Sequence, residues 1–159
     1  MNLMRIHAFR HITVMCLTAM LISASAIQGR AETCTPTSPD MLGPFYEPDA
    51  PVRPSVGKGY ILSGVVRSSA DCKPLQGARI EFWLAGTDGY YDDDHRATVI
   101  SGSDGGYKFE SNQPKPYAGR PPHIHIRVSS EGFQVLVTQH YPQKGKTGDT
   151  FDLVLVPVK

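Results

Sequence analysis

One stretch, Arg-Pro-Pro-His-Ile-His-Ile-Arg-Val at residues 120–128, decides the fold of this chain. Its two histidines are two residues apart, so an extended strand places both imidazoles on one face, with Cα atoms roughly 7 Å apart. Ile124, Ile126 and Val128 then face the opposite side as an apolar stripe. The stretch predicts a strand that buries one face and offers two nitrogen ligands on the other. Taken alone, it also fits two partly buried histidines without a metal.

Alternation of apolar and polar residues continues through the rest of residues 59–159. Seven short strands are predicted, each bounded by Gly, Pro, Asp or Ser turn residues. They cover residues 60–66, 78–85, 97–101, 107–109, 123–128, 133–138 and 151–156. No window of a dozen residues shows an apolar helical face. The pattern predicts an all-β fold, an antiparallel β-sandwich of immunoglobulin/prealbumin-like type with about seven strands.

Residues 1–31 are predicted to be a secretory signal peptide. A basic start at Arg5 and Arg10 is followed by an uncharged apolar run over residues 12–27. Small residues then offer cleavage after Ala26 or Ala31. The expected location is therefore secreted or periplasmic, and the alternative is an uncleaved N-terminal anchor. No other stretch approaches the length of a membrane span.

Cleavage after Ala31 leaves 128 residues with 13 basic and 15 acidic side chains, a formal charge of −2. A chain of this size forms one domain. Its charge gives no basic face for nucleic acid, and no membrane partner is expected after cleavage. Whether the chain forms a homo-oligomer stays open.

Two cysteines remain after the signal, Cys34 and Cys72. An even pair in an exported chain predicts a disulfide bond, which would stabilise the fold by about 3–4 kcal/mol in the chain-entropy account. The alternatives are two free thiols or a metal-binding pair.

Residues 32–58 are predicted to form an extended arm lying over a sandwich domain of residues 59–159. Six prolines exclude a helix or a central strand there. They are Pro36, Pro39, Pro44, Pro48, Pro51 and Pro54. Gly43-Pro44-Phe45-Tyr46 forms an apolar knot in this arm, and Tyr46 is a secondary candidate for a substrate pocket.

Two loops add tyrosines to the histidine pair. Tyr91 lies in the loop of residues 87–95, and Tyr117 lies in the loop of residues 114–119. A phenol has a pKa near 10 and binds a metal well only when a strong Lewis acid removes its proton. Two phenolates and two imidazoles suit ferric iron better than zinc, which prefers thiolate and imidazole in structural sites.

Five segments of the chain resemble, in order, the intradiol ring-cleavage dioxygenases, the protocatechuate and catechol dioxygenase family. They are Gly43–Tyr46, Gly77–Trp83 with Gly89–Tyr91, Asp104–Phe109, Arg120–His125 and Val137–Gln139. The resemblance covers nearly all of the chain after residue 31. The chain differs from the well-characterised members in four respects: it is shorter, it lacks their N-terminal helical segment, its spacing from Tyr117 to Arg120 is tighter, and it is expected to be exported, whereas such enzymes are commonly cytoplasmic.

The resemblance implies one mononuclear Fe(3+) held by four side chains. Tyr91 and His123 would be equatorial ligands, and Tyr117 and His125 axial ones. Alignment through Trp83 and Gly89 favours Tyr91 over its neighbour Tyr90 as the ligand.

The resemblance also implies the reaction. A catechol-type aromatic diol would bind as a dianion, with Tyr117 as a base, and O2 would open the ring between the hydroxyl-bearing carbons to a muconate-type diacid. Arg120 and Gln139 resemble the residues of the family that contact the metal ligands or the substrate without binding the metal. A guanidinium at Arg120 would stabilise negative charge on the attacked ring.

Two other functions remain alternatives: a secreted transthyretin-like β-sandwich binding module without turnover, and a zinc hydrolase. Individual residues also have alternative uses. Arg120 could pair with the acidic run Asp92–Asp94, which we expect to be a solvated turn rather than a calcium site. Gln139 could cap backbone groups. His95 and His140 are predicted to face solvent.

Overall fold

The computed structural model describes residues 34–159, so the predicted signal peptide lies outside the described residues. Residues 34–159 fold into eight strands in two sheets, and the all-β sandwich is confirmed. The strands are β1 (Gly59–Ser68), β2 (Arg79–Trp83), β3 (Arg96–Ile100), β4 (Gly106–Asn112), β5 (Ile124–Ser129), β6 (Leu136–His140), β7 (Gly148–Thr150) and β8 (Leu153–Leu155). One 3₁₀ turn spans Asp93–His95.

The first sheet, here called the site sheet, has the strand order β3-β2-β5-β6 and is antiparallel throughout. Trp83 on β2 lies opposite His125 on β5, which lies opposite Gln139 on β6. Side chains paired in this way share one face of a sheet. The register therefore places an indole, an imidazole and an amide in one row.

The second sheet is mixed, which corrects the prediction of a purely antiparallel sandwich. It has the order β4-β1-β7, and β8 also pairs with β1. Both β7 and β8 run parallel to β1. The short strand β7 was not predicted from sequence, because Gly148-Asp149-Thr150 contains no apolar residue.

The core lies between the inner faces of the two sheets. Ile124, Ile126 and Val128 are fully buried there, which confirms the apolar stripe on β5. Phe82 from the site sheet stacks on Phe109 from the second sheet, with ring centroids 4.2 Å apart. Burial of this stripe fixes which face of β5 points outward, because a slip of one residue would turn every side chain over.

The arm before β1 is attached to the domain by a disulfide and by backbone hydrogen bonds. Cys34 and Cys72 form the predicted disulfide bond. The arm then crosses the outer face of the site sheet, where the amide of Asp40 donates to the carbonyl of Val137 at 2.9 Å. Further along, the amide of Arg53 donates to the carbonyl of Thr98 at 3.0 Å.

Between residues 34 and 159, no helix has the length and apolar character needed to cross a membrane.

His140 is buried, so the prediction that it faces solvent was wrong. Its side chain points into the molecule at the end of β6, where Nε2 lies 2.7 Å from the hydroxyl of Tyr60. Burial lowers the pKa of His140, while the carboxylate of Asp149 at 3.9 Å raises it to a smaller extent. The neutral ring shares one hydrogen bond with Tyr60, whose direction depends on the tautomer of His140.

We expect His140 to make the fold sensitive to acid. The unfolded chain binds a proton on this histidine near pH 6.5, and the folded chain does so only at lower pH. Stability is therefore fully present above about pH 6.5 and falls as the pH drops below it. Urea unfolding at several pH values should show that His140→Gln flattens this dependence by up to about 1.4 kcal/mol per pH unit. An unchanged slope would contradict this role of His140.

Candidate metal centre

A cavity of about 260 Å³ opens where the arm and two loops meet the start of β5. All four predicted metal ligands line it together with Arg120. The complete lining is Met41, Gly43, Pro44, Phe45, Tyr91, Tyr117, Ala118, Arg120, His123 and His125. The structure thus brings together side chains that are far apart in sequence, with Met41 and His125 separated by 84 positions.

The two imidazoles point at each other across this cavity. Nε2 of His123 and Nε2 of His125 lie 3.1 Å apart, and both rings are almost completely buried. A carbonyl can only accept, so Nδ1 of His123 donates to the carbonyl of Pro121 at 2.8 Å. In the neutral ring, Nε2 is then left with a free lone pair. This is the tautomer that a metal-binding histidine requires.

Burial keeps both imidazoles neutral. It lowers the pKa of His123, and it lowers the pKa of His125 to about 4, with further lowering from His123 and the Arg120 guanidinium. Neither ring is therefore protonated near neutral pH. Both are prepared to give a lone pair to a cation.

Tyr91 supplies the third donor atom. Its hydroxyl oxygen lies 3.0 Å from Nε2 of His123, and its ring stacks on Phe45 with centroids 4.5 Å apart. Burial raises the pKa of Tyr91 to about 12. The phenol therefore stays protonated in this cavity unless a strong Lewis acid binds its oxygen.

Tyr117 reaches the cavity from a tight turn. Ala118 and Gly119 have φ values of +47° and +78°, and the amide of Arg120 donates to the Tyr117 carbonyl at 2.8 Å. Two central residues with positive φ match the geometry of a type I′ turn. This turn accounts for the short spacing between Tyr117 and Arg120. The Tyr117 ring meets the rings of Phe45 and Tyr91 edge to face at 5.2 and 5.3 Å.

The histidine His125 is held from both sides. The indole of Trp83 stacks on it in parallel at 4.9 Å, and the arm passes over its other side at Gly43. A Cβ at Gly43 would lie only 2.9 Å from Cε1 of His125. Within the described chain, Nδ1 of His125 is buried without a hydrogen-bond partner. Packing by Trp83 and by the arm at Gly43 therefore holds the orientation of this ring.

Arg120 and Gln139 lie beside each other at the edge of the site. Nη2 of Arg120 donates to Oε1 of Gln139 at 2.8 Å and to the hydroxyl of Tyr141 at 2.9 Å. The amide nitrogen of Gln139 donates to the carbonyl of Met41 at 2.6 Å. The partners of the guanidinium are thus Gln139 and Tyr141, and not the acidic run Asp92–Asp94. Within that run, Asp92 accepts hydrogen bonds from the amide and the ring of His95.

Tyr46 lies outside the cavity, in contrast to its suggested place in a substrate pocket. Its hydroxyl is 3.4 Å from the carboxylate of Glu81, and its ring packs 5.1 Å from Trp83. The neighbouring residue Phe45 lines the cavity instead. The chain turns at residues 44–45, and the two neighbouring rings pack on different partners, Phe45 on Tyr91 and Tyr46 on Trp83.

Comparison with known proteins shows the family of this chain. Residues 48–151 match the family described as dioxygenase. The chain belongs to the intradiol ring-cleavage dioxygenase family. The dioxygenase domain of a dioxygenase–carbohydrate-binding protein fusion from Streptomyces sp. SirexAA-E is 32% identical and superposes with a TM-score of 0.70. The match covers 78% of this chain and all of that chain.

Two curated relatives in the intradiol family have longer chains. Catechol 1,2-dioxygenase of Candida albicans is 34% identical over 73% of this chain and 50% of its own length. Chlorocatechol 1,2-dioxygenase of Pseudomonas putida is 29% identical over 84% of this chain and 64% of its own length. This chain therefore spans about half to two thirds of the length of these relatives.

Members of the intradiol family use iron, and the donor atoms found here fit such an ion. Among residues 34–159, no cluster of three or more His, Cys, Asp or Glu side chains could hold a metal. Separations of 3.0 and 3.1 Å between donor atoms suit neighbouring ligands of one ion, since metal–nitrogen bonds are about 2.0–2.1 Å long.

Proposed function

We propose that this chain is an Fe(III)-dependent intradiol dioxygenase. It cleaves a catechol-type ring between the two hydroxyl-bearing carbons and adds both atoms of O2, giving a muconate-type diacid. The observation that carries the proposal is the convergence of Tyr91, Tyr117, His123 and His125 on one cavity. A binding module without turnover would not need two neutral imidazoles and two phenols around the same small space.

The four ligands divide their work by chemistry. His123 and His125 give neutral nitrogen donors, and Tyr91 and Tyr117 give oxygen donors that balance the charge of a trivalent ion. When bound, the ferric ion supplies the Lewis acidity that ionises the phenols and the catechol and makes the ring reactive toward O2. Tyr117 lies in a partly exposed turn, where its oxygen, once ionised, can accept a proton from the incoming diol.

Arg120 acts on the charge that develops on the substrate. Its guanidinium lines the cavity, and its bond to Gln139 fixes its direction. A donor that is oriented before the reaction stabilises an anionic ring without reorganisation cost. We assign Arg120 this role and assign Gln139 the role of orienting it.

The cavity walls favour a substrate without a ring carboxylate. Met41, Pro44, Phe45 and Ala118 give the cavity an apolar lining beside the ligands. Among the lining residues, Arg120 carries the only formal charge, and it is assigned to the anionic ring, so no second cation is left for a ring carboxylate. Catechol should therefore be used more efficiently than protocatechuate.

Oxygen consumption by the iron-loaded protein tests the proposed function. Catechol, hydroxyquinol and protocatechuate should be compared, with the product identified by mass spectrometry. We expect one O2 to be consumed for each ring opened and both oxygen atoms to appear in the diacid. Binding of catechol without oxygen consumption would reject the enzyme and favour the transthyretin-like binding module.

We also propose that the protein is exported. The disulfide between Cys34 and Cys72 supports this, because such bonds persist mainly in oxidising compartments. Mass spectrometry of the mature protein should find Ile27 or Glu32 as the first residue. An intact N-terminus would contradict export by cleavage.

A further inference from the structure

Two residues outside the proposed ligand set converge on Arg120. Tyr141 follows β6, and its hydroxyl oxygen lies 2.9 Å from Nη2 of Arg120. The same hydroxyl lies 2.9 Å from Oδ2 of Asp40, on the arm, and 3.0 Å from Oε1 of Gln139. Asp40 and Tyr141 are 101 positions apart in sequence, and neither belongs to the sequence motifs of the predicted site.

The donors and acceptors of this group set the direction of its hydrogen bonds. A guanidinium only donates, so the Tyr141 oxygen accepts from Arg120. The single phenolic proton is then free for Asp40 or Gln139, and the charged carboxylate is the stronger acceptor. The bonds therefore run from Arg120 to Tyr141 and from Tyr141 to Asp40.

Tyr141 and Asp40 have the ionisation states that these hydrogen-bond directions require: a protonated phenol and a charged carboxylate. Partial burial raises the pKa of Tyr141, so the phenol keeps its proton. The hydrogen bond from the Met41 amide lowers the pKa of Asp40, so the carboxylate keeps its charge.

Asp40 is itself fixed in place. Its amide donates to the carbonyl of Val137 at 2.9 Å, and Oδ1 accepts from the amide of Met41 at 2.6 Å. One residue further, the carbonyl of Met41 accepts from Gln139. The arm is therefore tied to β6 on either side of the carboxylate. Asp40 is a rigid support for Tyr141 rather than a flexible surface charge.

We propose that Tyr141, anchored by Asp40, is a positioning residue that holds the Arg120 guanidinium toward the bound aromatic diol. The inference rests on the proposed function, in which Arg120 faces the substrate. Gln139 and Tyr141 give Nη2 two acceptors that lie 3.0 Å from each other, and Tyr141 is in addition bonded to Asp40 on the arm. Two acceptors restrict the rotation of a long side chain more than one does, and the bond to Asp40 fixes the second acceptor to the arm. The arm thereby contributes to the reaction as well as to the cavity wall.

The test compares Tyr141→Phe, Asp40→Asn and the double variant with the wild-type holoenzyme. The matched control is Tyr90→Phe, which removes the same hydroxyl from an exposed tyrosine. We expect Tyr141→Phe to lower kcat/KM for catechol about tenfold, the value of one hydrogen bond to a charged group. Asp40→Asn should cause a smaller loss. The double variant should lose no more than Tyr141→Phe, because Asp40 acts through Tyr141.

A second measurement reports on Arg120 without turnover. The guanidinium NMR signal of Arg120, recorded with diamagnetic Ga(III) in place of the paramagnetic ferric ion and assigned with Arg120→Lys, should show slow rotation in the wild type and in Tyr90→Phe. Rotation should be faster in Tyr141→Phe. An unchanged signal together with unchanged kcat/KM would overturn the proposal, and so would independent, multiplying losses in the double variant. A wild type without catechol turnover would reject the proposed function, while the NMR signal would still decide whether Tyr141 positions Arg120.

Discussion

Replacing Tyr91 with phenylalanine is expected to bleach the iron-loaded protein and to lower its turnover by more than about 100-fold. Residues that only support a ligand typically cost about 10- to 100-fold in affinity or activity, and a ligand should cost more. The substitution removes one oxygen, which lies 3.0 Å from Nε2 of His123. The ring that stacks on Phe45 is retained, so the cavity wall should keep its shape. Visible absorption, iron content and oxygen consumption measure the effect.

The adjacent tyrosine provides the control for this prediction. Tyr90 is 68% exposed and does not line the cavity. Tyr90→Phe should therefore keep the colour, the iron and the activity of the wild type. If Tyr90→Phe bleached the protein and Tyr91→Phe did not, the metal ligand would be Tyr90, and the assignment of Tyr91 would be wrong.

Replacing Gly43, on the arm, with alanine is expected to weaken iron binding at the site. Its φ is +74°, and the added Cβ would lie 2.9 Å from Cε1 of His125. Trp83 stacks on that imidazole, so the ring has little room to move away. Either the arm lifts or His125 turns, and both displace a donor atom from its neighbours. We expect a loss of at least tenfold in iron affinity, since a misplaced support costs about 10- to 100-fold.

Gly132→Ala separates this clash from backbone strain. Gly132 has a φ of +78°, close to that of Gly43, and an added Cβ there would meet no atom within 4 Å. Both variants should lose roughly 1–2 kcal/mol of stability from the left-handed backbone conformation. Only Gly43→Ala should lose iron. Equal iron content in the two variants would show that the arm does not constrain His125.

The sequence was sufficient to predict the strand that carries the histidines. Ile124, Ile126 and Val128 alternate with polar residues, and alternation of this kind is reliable where one face of a strand is buried. The same alternation placed His123 and His125 on one face, and the structure finds their Nε2 atoms 3.1 Å apart. The disulfide followed from cysteine count and the expected export.

Features that depend on distant pairing could not be predicted from local patterns. The parallel pairing of β7 with β1 joins Gly148 to Ile61, and nothing in either segment specifies the partner. His140 is buried because Tyr60 accommodates it, a contact across 80 positions. The contact between Asp40 and Tyr141 spans 101 positions. One sequence signal was available for Tyr141: it lies two residues after Gln139, and period two places both on one face.

The orientation of the aromatic rings on the arm could not be predicted either. Gly43-Pro44-Phe45-Tyr46 was correctly predicted to pack, yet composition could not decide which aromatic ring would enter the cavity. Phe45 lines the cavity, and Tyr46 packs on Trp83 outside it. The direction of each ring depends on where the arm crosses the site sheet. That crossing is set by backbone hydrogen bonds from Asp40 and Arg53 to strands at the two edges of the sheet.

The visible absorption spectrum of the purified protein, measured beside its iron content, tests the central claim most directly. Four side chains that give two phenolate oxygens and two imidazole nitrogens to one ferric ion should produce a reddish protein with one iron per chain. The absorption should come from charge transfer between phenolate and iron, and chelation should remove it. A colourless protein that still holds one iron per chain would contradict ligation by Tyr91 and Tyr117.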